Sequence, residues 1–394
     1  MPSALPSIDP IALTQALVRC DSVTPKEGGA LDLLERQLRE AGFSCHRLTF
    51  KDGAYPVDNL FARIGQGGPH LCFAGHTDVV PAGDLARWTH PPFSGDIVDG
   101  QLWGRGAVDM KGNIACFLAA AFDYLGGEGR DRPGTLSLLI TGDEEADAVD
   151  GTVKVLDWMA RNGHTPSHCI VGEPSCSEAI GDTIRIGRRG SLSAKLIVTG
   201  KQGHVGYAHL ANNPVMGFVK VAAALKAEPL DQGTEHFVPS NLEVVSADVG
   251  NPVYNVIPAR IEAKMNVRYN DLHTAKGLEA WMRAKATAAL EGTGLGHEWT
   301  FSSNADAFVT KPGPLVDMVR EVVRETTGRT PELSTAGGTS DARFVKDHCQ
   351  VLEIGLVNKT IHAVDERVPT ADLDKLTVLY RRLIERYFGT FSDV

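Results

Sequence analysis

The chain has 394 residues, of which 43% are hydrophobic and 22% are charged, and its formal net charge is −10. This length suits two domains, and the composition supplies apolar material for two cores. Both nucleic acid and anionic membrane surfaces recruit clustered Lys and Arg, and the chain contains no basic run. Neither is therefore expected as a partner.

Targeting signals and cysteines favour a cytoplasmic protein. The first twenty residues lack the pattern of a signal peptide, and no run of about eighteen apolar residues predicts a membrane-spanning helix. Seven cysteines are scattered without a CxxC pair. Their odd number and spacing favour reduced, mostly buried thiols over a disulfide framework or a thiolate metal site.

Helical and strand patterns alternate in the first part of the chain. A long loop rich in Gly, Pro and Trp, with one hairpin, is predicted over residues 83–106. The alternation predicts an α/β fold with a mostly parallel sheet covered by helices. Helices are predicted over residues 9–20, 29–41, 114–125 and 153–160, and strands over 46–50, 60–64, 71–74, 135–140 and 167–171.

The pattern changes after Arg189. Residues 190–303 read strand, helix, strand, strand, helix, strand, which is the βαββαβ order of a ferredoxin-like sandwich. From residue 304 the α/β alternation resumes, with helices predicted over 315–327 and 371–388 and a strand over 351–356. The sequence therefore predicts a discontinuous catalytic domain (residues 1–189 and 304–394) and an inserted dimerisation or lid domain (residues 190–303).

Polar residues follow four of the predicted catalytic-domain strands. In open α/β sheets, ligands gather beyond the carboxyl ends of the strands, so these positions are the first candidates for a site. A further carboxylate, Asp109, comes just before the helix predicted from residue 114. The residues after the strands are His76 with Asp78, Glu144 with Glu145, Glu173, and His362.

Each of these residues alone has an ordinary structural explanation. Glu144 and Glu145 could complement a helix start, Asp109 could be an N-cap, Glu173 could lie in a turn, and a lone histidine is usually just hydrogen-bonded. Together, however, the acids would repel one another without a cation. Imidazole and carboxylate ligands suit Zn²⁺, and less specifically Co²⁺ or Mn²⁺. Their number can furnish two metal positions if one carboxylate bridges.

Six motifs resemble the di-zinc aminoacylase and carboxypeptidase superfamily in order and spacing. They are GHTDVVPAG, WTHPPF, GRGAVDMKG, TGDEE, GEP and NKTIH. The resemblance spans essentially the whole chain. It implies a zinc exopeptidase-like catalytic domain, two Zn²⁺ per subunit with Co²⁺ as a possible substitute, and hydrolysis of an amide in a small-molecule substrate.

The resemblance also implies a role for each site residue. Asp109 is expected to bridge the metals, with His76 and Glu173 on one and Glu145 and His362 on the other. The carboxylate of Asp78 would hydrogen-bond the far nitrogen of His76, and Glu144 would be the general base. A cis peptide bond is expected between Asp109 and Met110.

Within the superfamily, the motifs are most similar to the branch that hydrolyses N-succinyl-LL-2,6-diaminopimelate in lysine and meso-diaminopimelate biosynthesis. That substrate has three carboxylates, which call for bidentate Arg and for hydroxyl and amide donors. Individually, the arginines could be solvated or paired with surface acids, and GGTS could be a structural turn. The expected substrate-binding residues are Arg188, Ser191, Tyr207, Asn255, Arg268, Gly338, Thr339 and Asn358.

His204 and Tyr207 match residues that reach the active site of the partner subunit in that branch. His204 is expected to help stabilise the oxyanion there, so the resemblance implies a homodimer. Without the resemblance, His204, which lies beside two glycines, could simply be part of a flexible turn.

Other functions compete with this prediction. An acetylornithine deacetylase or a carboxypeptidase would have the same architecture and metal ligands. A metal-containing scaffold without turnover is disfavoured, because a binder has no need of Glu144. A transporter-type solute binder is disfavoured by the missing export signal.

Overall fold

The computed structural model describes residues 7–127, 129, 134–303 and 305–392. Contacts between Cα atoms divide the chain into two compact units. The first unit runs to Ile186 and resumes over Thr310–Ser334 and from Ser340 onward, and the second comprises Gly187–Val309 and Thr335–Thr339. Among the residues described, no helix has the length and apolar character needed to span a membrane.

The first unit begins with alternating strands and helices. Its helices to this point are α1 (Pro10–Val18), α2 (Ala30–Glu40), α3 (Lys111–Gly126) and α4 (Thr152–Arg161). Its strands to this point are β1 (Ser44–Phe50), β2 (Val57–Gln66), β3 (His70–His76), β4 (Ile97–Val98), β5 (Gln101–Trp103), β6 (Gly134–Thr141), β7 (His168–Val171) and β8 (Thr183–Arg185).

The second unit follows, and then the chain returns to the first. The second unit contains β9 (Gly187–Arg188), β10 (Gly190–Thr199), β11 (Gly203–His204), α5 (Pro214–Leu225), β12 (Asn241–Asp248), β13 (Val256–Ile257), β14 (Arg260–Tyr269), α6 (Ala275–Leu290), β15 (Gly296–Ser302) and β16 (Phe308–Val309). The returning segment contains α7 (Pro314–Thr327), β17 (Glu332–Ser334), α8 (Ala342–Val345), β18 (Gln350–Glu353), β19 (Arg367–Pro369) and α9 (Thr370–Thr390).

An eight-stranded mixed sheet organises the first unit, in the order β1-β2-β6-β3-β7-β18-β8-β17. Its four central strands, β6, β3, β7 and β18, are adjacent and parallel. Every residue of β3 and β6 is buried, as expected for strands covered on both faces. The C-terminal segment completes this sheet, because β18 lies between β7 and β8.

Aromatic packing joins the central sheet to the helices. The rings of Phe73 on β3 and Phe117 on α3 are stacked at 4.1 Å, and Tyr380 on α9 contacts both rings edge-on. At the other end of the unit, Asp9 caps α1 by accepting a hydrogen bond from the amide of Ile11, and Pro10 occupies the first helical position. The predicted start of α1 is therefore confirmed.

A four-stranded antiparallel sheet, in the order β12-β14-β10-β15, forms the second unit. Buried and less buried residues alternate along β10 and β14, which is the pattern of a sheet with one face on the core. Leu278 and Met282 of α6 and Val221 of α5 lie in that core. The predicted βαββαβ order is present.

The unit boundaries differ from the predicted domain boundaries at three short segments. Residues 187–189, 305–309 and 335–339 belong to the catalytic domain predicted from the sequence. In the structure β9 pairs with β16, and the Thr335 hydroxyl donates to the carbonyl of His236, so the corresponding segments cluster with the second unit. These pairings link residues far apart in sequence, which a linear pattern does not reveal.

Candidate metal centre

The predicted site residues of the first unit lie after its four central strands. His76 ends β3, Glu144 and Glu145 follow β6, and Glu173 follows β7. His362 lies on the loop between β18 and β19. Since these strands are adjacent and parallel, their carboxyl ends meet at one edge of the sheet.

Asp109 lies at the centre of the cluster. Its Oδ1 is 3.3 Å from Nε2 of His76, and its Oδ2 is 3.3 Å from Nε2 of His362. On the first side, Nε2 of His76 is 3.8 Å from Oε1 of Glu173. On the second, Nε2 of His362 is 2.9 Å from Oε1 of Glu145. Each oxygen of Asp109 therefore faces a different histidine and acid pair.

The arrangement fits a cation. Within the described part of the chain, Nε2 of His76 and Oδ1 of Asp109 are buried and have no hydrogen-bond partner, which is costly unless another group binds them. Possible ligand atoms lie within 4.8 Å of one another in two groups, His76 with Asp109 and Glu145, and His76 with Glu144 and Glu173. Imidazole nitrogen with carboxylate oxygen is a donor set typical of zinc.

Electrostatics also favour positive charge in the cluster. Burial alone would lower the pKa of His76, but the carboxylates of Asp109, Glu144 and Asp78 raise it well above its usual value. The carboxylates of Asp109 and Glu145 raise the pKa of His362 to about 10. The negative charge that favours a proton on these imidazoles would equally favour a divalent cation, since metal binding to histidine displaces protons.

The pKa of Glu144 is also shifted by burial and by the neighbouring charges. Burial raises its pKa well above the usual value, the neighbouring His76 opposes the shift, and the carboxylate of Glu173 adds to it. Its carboxyl group has no intramolecular hydrogen bond among the described residues that would tie it down as Glu145 is tied to His362. The adjacent acids thus differ in surroundings.

Asp78 acts differently from the prediction. The carboxylate Oδ1 is 3.7 Å from Nδ1 of His76, too far for a hydrogen bond, and the backbone carbonyl of Asp78 contacts that nitrogen at 2.9 Å instead. The carboxylate accepts hydrogen bonds from the amides of Glu144 and Glu145, at 3.2 and 3.0 Å. Asp78 therefore orients His76 through its backbone and the Glu144–Glu145 segment through its side chain.

Two ordinary explanations of the acids are excluded by the helix positions. Helix α3 has Met110 as its N-cap, with no side-chain capping bond, so Asp109 is not the cap. Helix α4 begins at Thr152, too far along the chain for Glu144 and Glu145 to complement its start. The expected cis peptide bond between Asp109 and Met110 is present.

Sequence reasoning missed residues that support the loops of the site. Oδ2 of Asp143 accepts the amides of Val149 and Asp150, which closes the loop after Glu144 and Glu145. Glu366 and Arg105 form a buried ion pair beside Asp109. Arg105 is the only charged residue of the otherwise small and apolar GRGAV stretch, and this contrast could have marked it in the sequence as a supporting residue.

Of the expected substrate-binding residues, Asn358 lies in the first unit and the rest in the second. The amide of Asn358 donates to the carbonyl of Cys176 at 2.9 Å, which anchors the loop that leads to His362. Its side chain is half-buried.

The arginines of the second unit lie on or beside its sheet. Arg188 is buried, and its Nη1 donates to the carbonyl of Gly338 at 2.9 Å. Thr339, the residue after Gly338, is exposed. Ser191 on β10 lies directly opposite Arg268 on β14. Burial lowers the pKa of Arg268, and the nearby charge of Arg189 adds to the effect.

His204, Tyr207 and Asn255 lie together on an exposed part of the second unit. Strand β11 pairs with β13, and the carbonyl of Asn255 accepts the amide of Val205 at 3.1 Å. Nδ1 of His204 accepts the amide of Gly206 at 3.0 Å, and the ring of Tyr207 is 5.7 Å from that of His204. Nδ1 is thus an acceptor, which leaves Nε2 as the nitrogen that carries the proton in the neutral ring.

Comparison with known proteins identifies the family. The model of peptidase family M20/M25/M40 matches residues 72–386. The chain belongs to this family. The match covers every predicted metal ligand, and the predicted family and fold class are confirmed.

Several relatives in the family are similar over nearly their whole length. A succinyl-diaminopimelate desuccinylase of Rhodopseudomonas palustris strain TIE-1 is 57% identical over 381 residues, covering 96% of this chain and 98% of the relative. A protein of the same name from Xanthobacter autotrophicus is 53% identical and covers 97% of this chain and 100% of the relative.

Solved structures share the fold at low identity. A metallo-carboxypeptidase of the M20 family from Sulfolobus solfataricus superposes with a TM-score of 0.77 at 17% identity, covering 97% of this chain and 99% of that chain. A dinuclear metal-binding M20 peptidase from Bacillus subtilis gives a TM-score of 0.70 at 15% identity, covering 98% of each chain. At this identity the likeness concerns the fold.

Proposed function

We propose that this M20 family member converts N-succinyl-LL-2,6-diaminopimelate and water to succinate and LL-2,6-diaminopimelate. The observation that carries the proposal is similarity along nearly the full chain to proteins named for this activity, at 53% to 58% identity. The cluster around Asp109 supplies the groups that such a hydrolysis needs. In cells, the reaction would serve lysine and meso-diaminopimelate biosynthesis.

The metal ligands are proposed to be His76 and Glu173 for one cation, Glu145 and His362 for the other, and Asp109 for both. The two oxygens of Asp109, each 3.3 Å from one histidine, support this division. Two Zn²⁺ ions are proposed, with Co²⁺ as a possible substitute. When bound, such a pair polarises the scissile carbonyl and lowers the pKa of water.

Glu144 is proposed as the general base and acid. It accepts a proton from the water whose oxygen forms the new bond to the succinyl carbonyl carbon. As the carbon–nitrogen bond breaks, the same carboxyl group delivers the proton to the leaving amine. The adjacent Glu145 is tied to His362 at 2.9 Å, so the two acids can divide the tasks of base and ligand.

Substrate carboxylates are proposed to bind the arginines and the hydroxyl and amide donors of the second unit. Arg268 presents a guanidinium opposite Ser191, and such a fork suits bidentate binding of a carboxylate. The other proposed contacts are Arg188, Tyr207, Asn255, Gly338, Thr339 and Asn358.

A homodimer is proposed, in which His204 stabilises the oxyanion in the active site of the partner. Two apolar surfaces of the second unit support it. On the edge strand β12, Val245 is 65% exposed, and on α5 Met216 is 57% exposed. An unpaired strand edge next to apolar side chains is suited to association with a second copy.

A cytoplasmic location is part of the proposal. All seven cysteines are free, and five of them are buried. Reduced thiols are the usual state in the cytosol, whereas proteins of oxidising compartments form disulfides.

The substrate assignment can be tested with purified, zinc-loaded protein. We expect kcat/KM for N-succinyl-LL-2,6-diaminopimelate to exceed that for N-acetylornithine and for a panel of dipeptides by at least about a hundredfold, because carboxylate-binding groups left unpaired penalise the other substrates. Equal or faster hydrolysis of N-acetylornithine or a dipeptide would overturn the assignment and favour the deacetylase or carboxypeptidase alternative.

A further inference from the structure

A buried ion pair lies beside the candidate metal centre and is hydrogen-bonded to the backbone of Asp109. Arg105 is 2% exposed and Glu366 is 0% exposed. Nη1 of Arg105 donates to Oε2 of Glu366 at 2.8 Å. A buried pair with both charges desolvated adds little net stability compared with an apolar pair, so its presence calls for another explanation.

Glu366 holds the backbone of the central aspartate. Its Oε1 accepts hydrogen bonds from the amides of Val108 and Asp109, at 2.9 and 3.1 Å. The backbone carbonyl of Glu366 also accepts the amide of Gly104, at 2.8 Å. One residue of the His362 loop therefore fixes both ends of the segment that leads to Asp109.

Arg105 extends this connection. Nη1 also donates to the carbonyl of Ala363 at 3.1 Å, directly after His362. Nη2 reaches the carbonyl of Pro81 at 3.5 Å, and the guanidinium lies 5.2 Å from the centre of the Trp88 ring. Arg105 thus connects the Asp109 segment to the His362 loop.

The two sides of the metal centre differ in how they are otherwise held. His76 is the last residue of β3, and Glu173 comes just after β7, so ladder hydrogen bonds fix that side. His362 lies well beyond the end of β18, on a loop, with an exposed side chain and a positive φ of 57°. Its position relative to Asp109 requires a separate tether.

We propose that the Arg105–Glu366 pair is a positioning element that sets the distance between Asp109 and His362. It thereby controls most strongly the affinity of the cation position that contains Glu145 and His362. The other position depends on the pair only through the shared Asp109, because His76 and Glu173 are held by strand ends. The inference rests on the proposed dinuclear site. Glu366 contacts the backbone of Asp109 and Arg105 that of Ala363, so both act through the proposed ligands whose segments they hold.

The test is a zinc titration of metal-free protein against a chromophoric chelator, which yields both binding constants. Glu366→Gln keeps an oxygen that can accept the two amides but places an amide N–H against Arg105. We expect the affinity of one position to fall about tenfold or more, as for other outer-sphere partners of metal ligands, and that of the other to change by less than about threefold. His362→Ala identifies which constant belongs to the affected position.

A double variant separates positioning from stability. Arg105→Met with Glu366→Gln removes both buried charges, so its metal-free form should unfold at a temperature close to wild type even if a single variant is destabilised. We expect the double variant to retain the selective loss of affinity. Arg47→Met is the matched control. Arg47 lies on the edge strand β1 and pairs with Glu35, so this substitution should leave both zinc-binding constants unchanged.

Three results would overturn the inference: unchanged constants in Glu366→Gln, an equal loss at both positions, or recovery of wild-type affinity in the double variant. Wild-type protein that binds no second cation would instead overturn the proposed dinuclear site, and the inference with it. The wild-type titration therefore distinguishes the two failures.

Discussion

The two units hold their predicted functional residues in different ways. In the first unit, the proposed ligands His76, Glu145 and Glu173 follow parallel strands, and Asp109 lies just before α3. His76 is 1% exposed and Asp109 is 7% exposed. In the second, His204 and Tyr207 lie on a short exposed segment, with Tyr207 at 60% exposure. Groups that bind a cation must be fixed before it arrives, whereas groups that recognise a substrate can be ordered by its binding. The contrast suggests that substitutions in the two units will affect different kinetic quantities.

The largest expected effect concerns Glu144 in the first unit. Glu144→Gln should lower kcat by roughly 10³-fold or more with bound zinc unchanged, because it removes the proton acceptor and leaves the ligands. The measurement is steady-state kinetics together with metal analysis.

Glu145→Gln is the matched control for this prediction. It should reduce zinc affinity by about tenfold or more, because Glu145 contacts His362 at 2.9 Å and is a proposed ligand. Equal activity in Glu144→Gln and wild type, at full metal content, would show that Glu144 is not the base.

A substitution of Arg268 tests the proposed role of the second unit in substrate recognition. Arg268→Lys should raise KM by roughly ten- to a hundredfold with a smaller change in kcat, since a lysine cannot reproduce the bidentate fork. Arg260→Lys, on the same strand but paired with Glu262 at 2.7 Å, is the control. A fall in zinc content in Arg268→Lys would contradict the division between the units.

Mixing two inactive variants tests whether the units cooperate between subunits. Glu144→Gln and His204→Ala should each be inactive or weak alone. If His204 serves the partner, a mixed dimer has one intact site, and an equal random mixture should regain about a quarter of wild-type activity. Subunit exchange must first be verified by sedimentation and by a tagged pull-down. No recovery in exchanged dimers, or a fully active monomer, would refute the proposed arrangement.

The smallest expected effect concerns a buried histidine of the first unit outside the site. Burial lowers the pKa of His70 to about 4, while its Nε2 contacts the hydroxyl of Ser137 at 2.7 Å. Between pH about 6.5, the ordinary pKa of histidine, and pH about 4, His70 binds a proton in the unfolded chain but not in the folded chain. The stability that neutral His70 contributes is therefore fully present above pH about 6.5 and is lost as the pH falls towards about 4.

His70→Gln provides the measurement for this histidine. Between pH 7 and 4.5, metal-free wild type should lose about 2 kcal/mol more unfolding free energy than the variant, by urea denaturation. Parallel losses in the two proteins would show that His70 does not contribute to acid sensitivity.

Much of the fold and the location of the site could be predicted from the sequence. The apolar runs of β3, β6 and β7 and the polar residues that follow them gave the sheet edge at which His76, Glu144, Glu145 and Glu173 meet. Hydrophobic periodicity reports local structure, and the parallel arrangement then places the strand ends together. The predicted role of each ligand stays a prediction.

Long-range backbone hydrogen bonds could not be predicted in this way. The link from Glu366 to the amide of Asp109 joins residues separated by 257 positions. The carboxylate of Asp78 was assigned to His76, but its own backbone carbonyl was the better-placed acceptor. A side chain's choice among several nearby donors depends on loop geometry, which residue spacing does not encode.

The position of β18 has a consequence for the order of synthesis. The strands that precede His76, Glu144 and Glu173 emerge from the ribosome before the second unit, whereas β18 and His362 emerge after it. A nascent chain that has reached the second unit therefore contains the proposed ligands His76, Asp109, Glu145 and Glu173, while His362 is still untranslated. The second unit has all of its main sheet by residue 302 and can fold during this interval. The complete set of proposed metal ligands, by contrast, exists only once His362 has been translated.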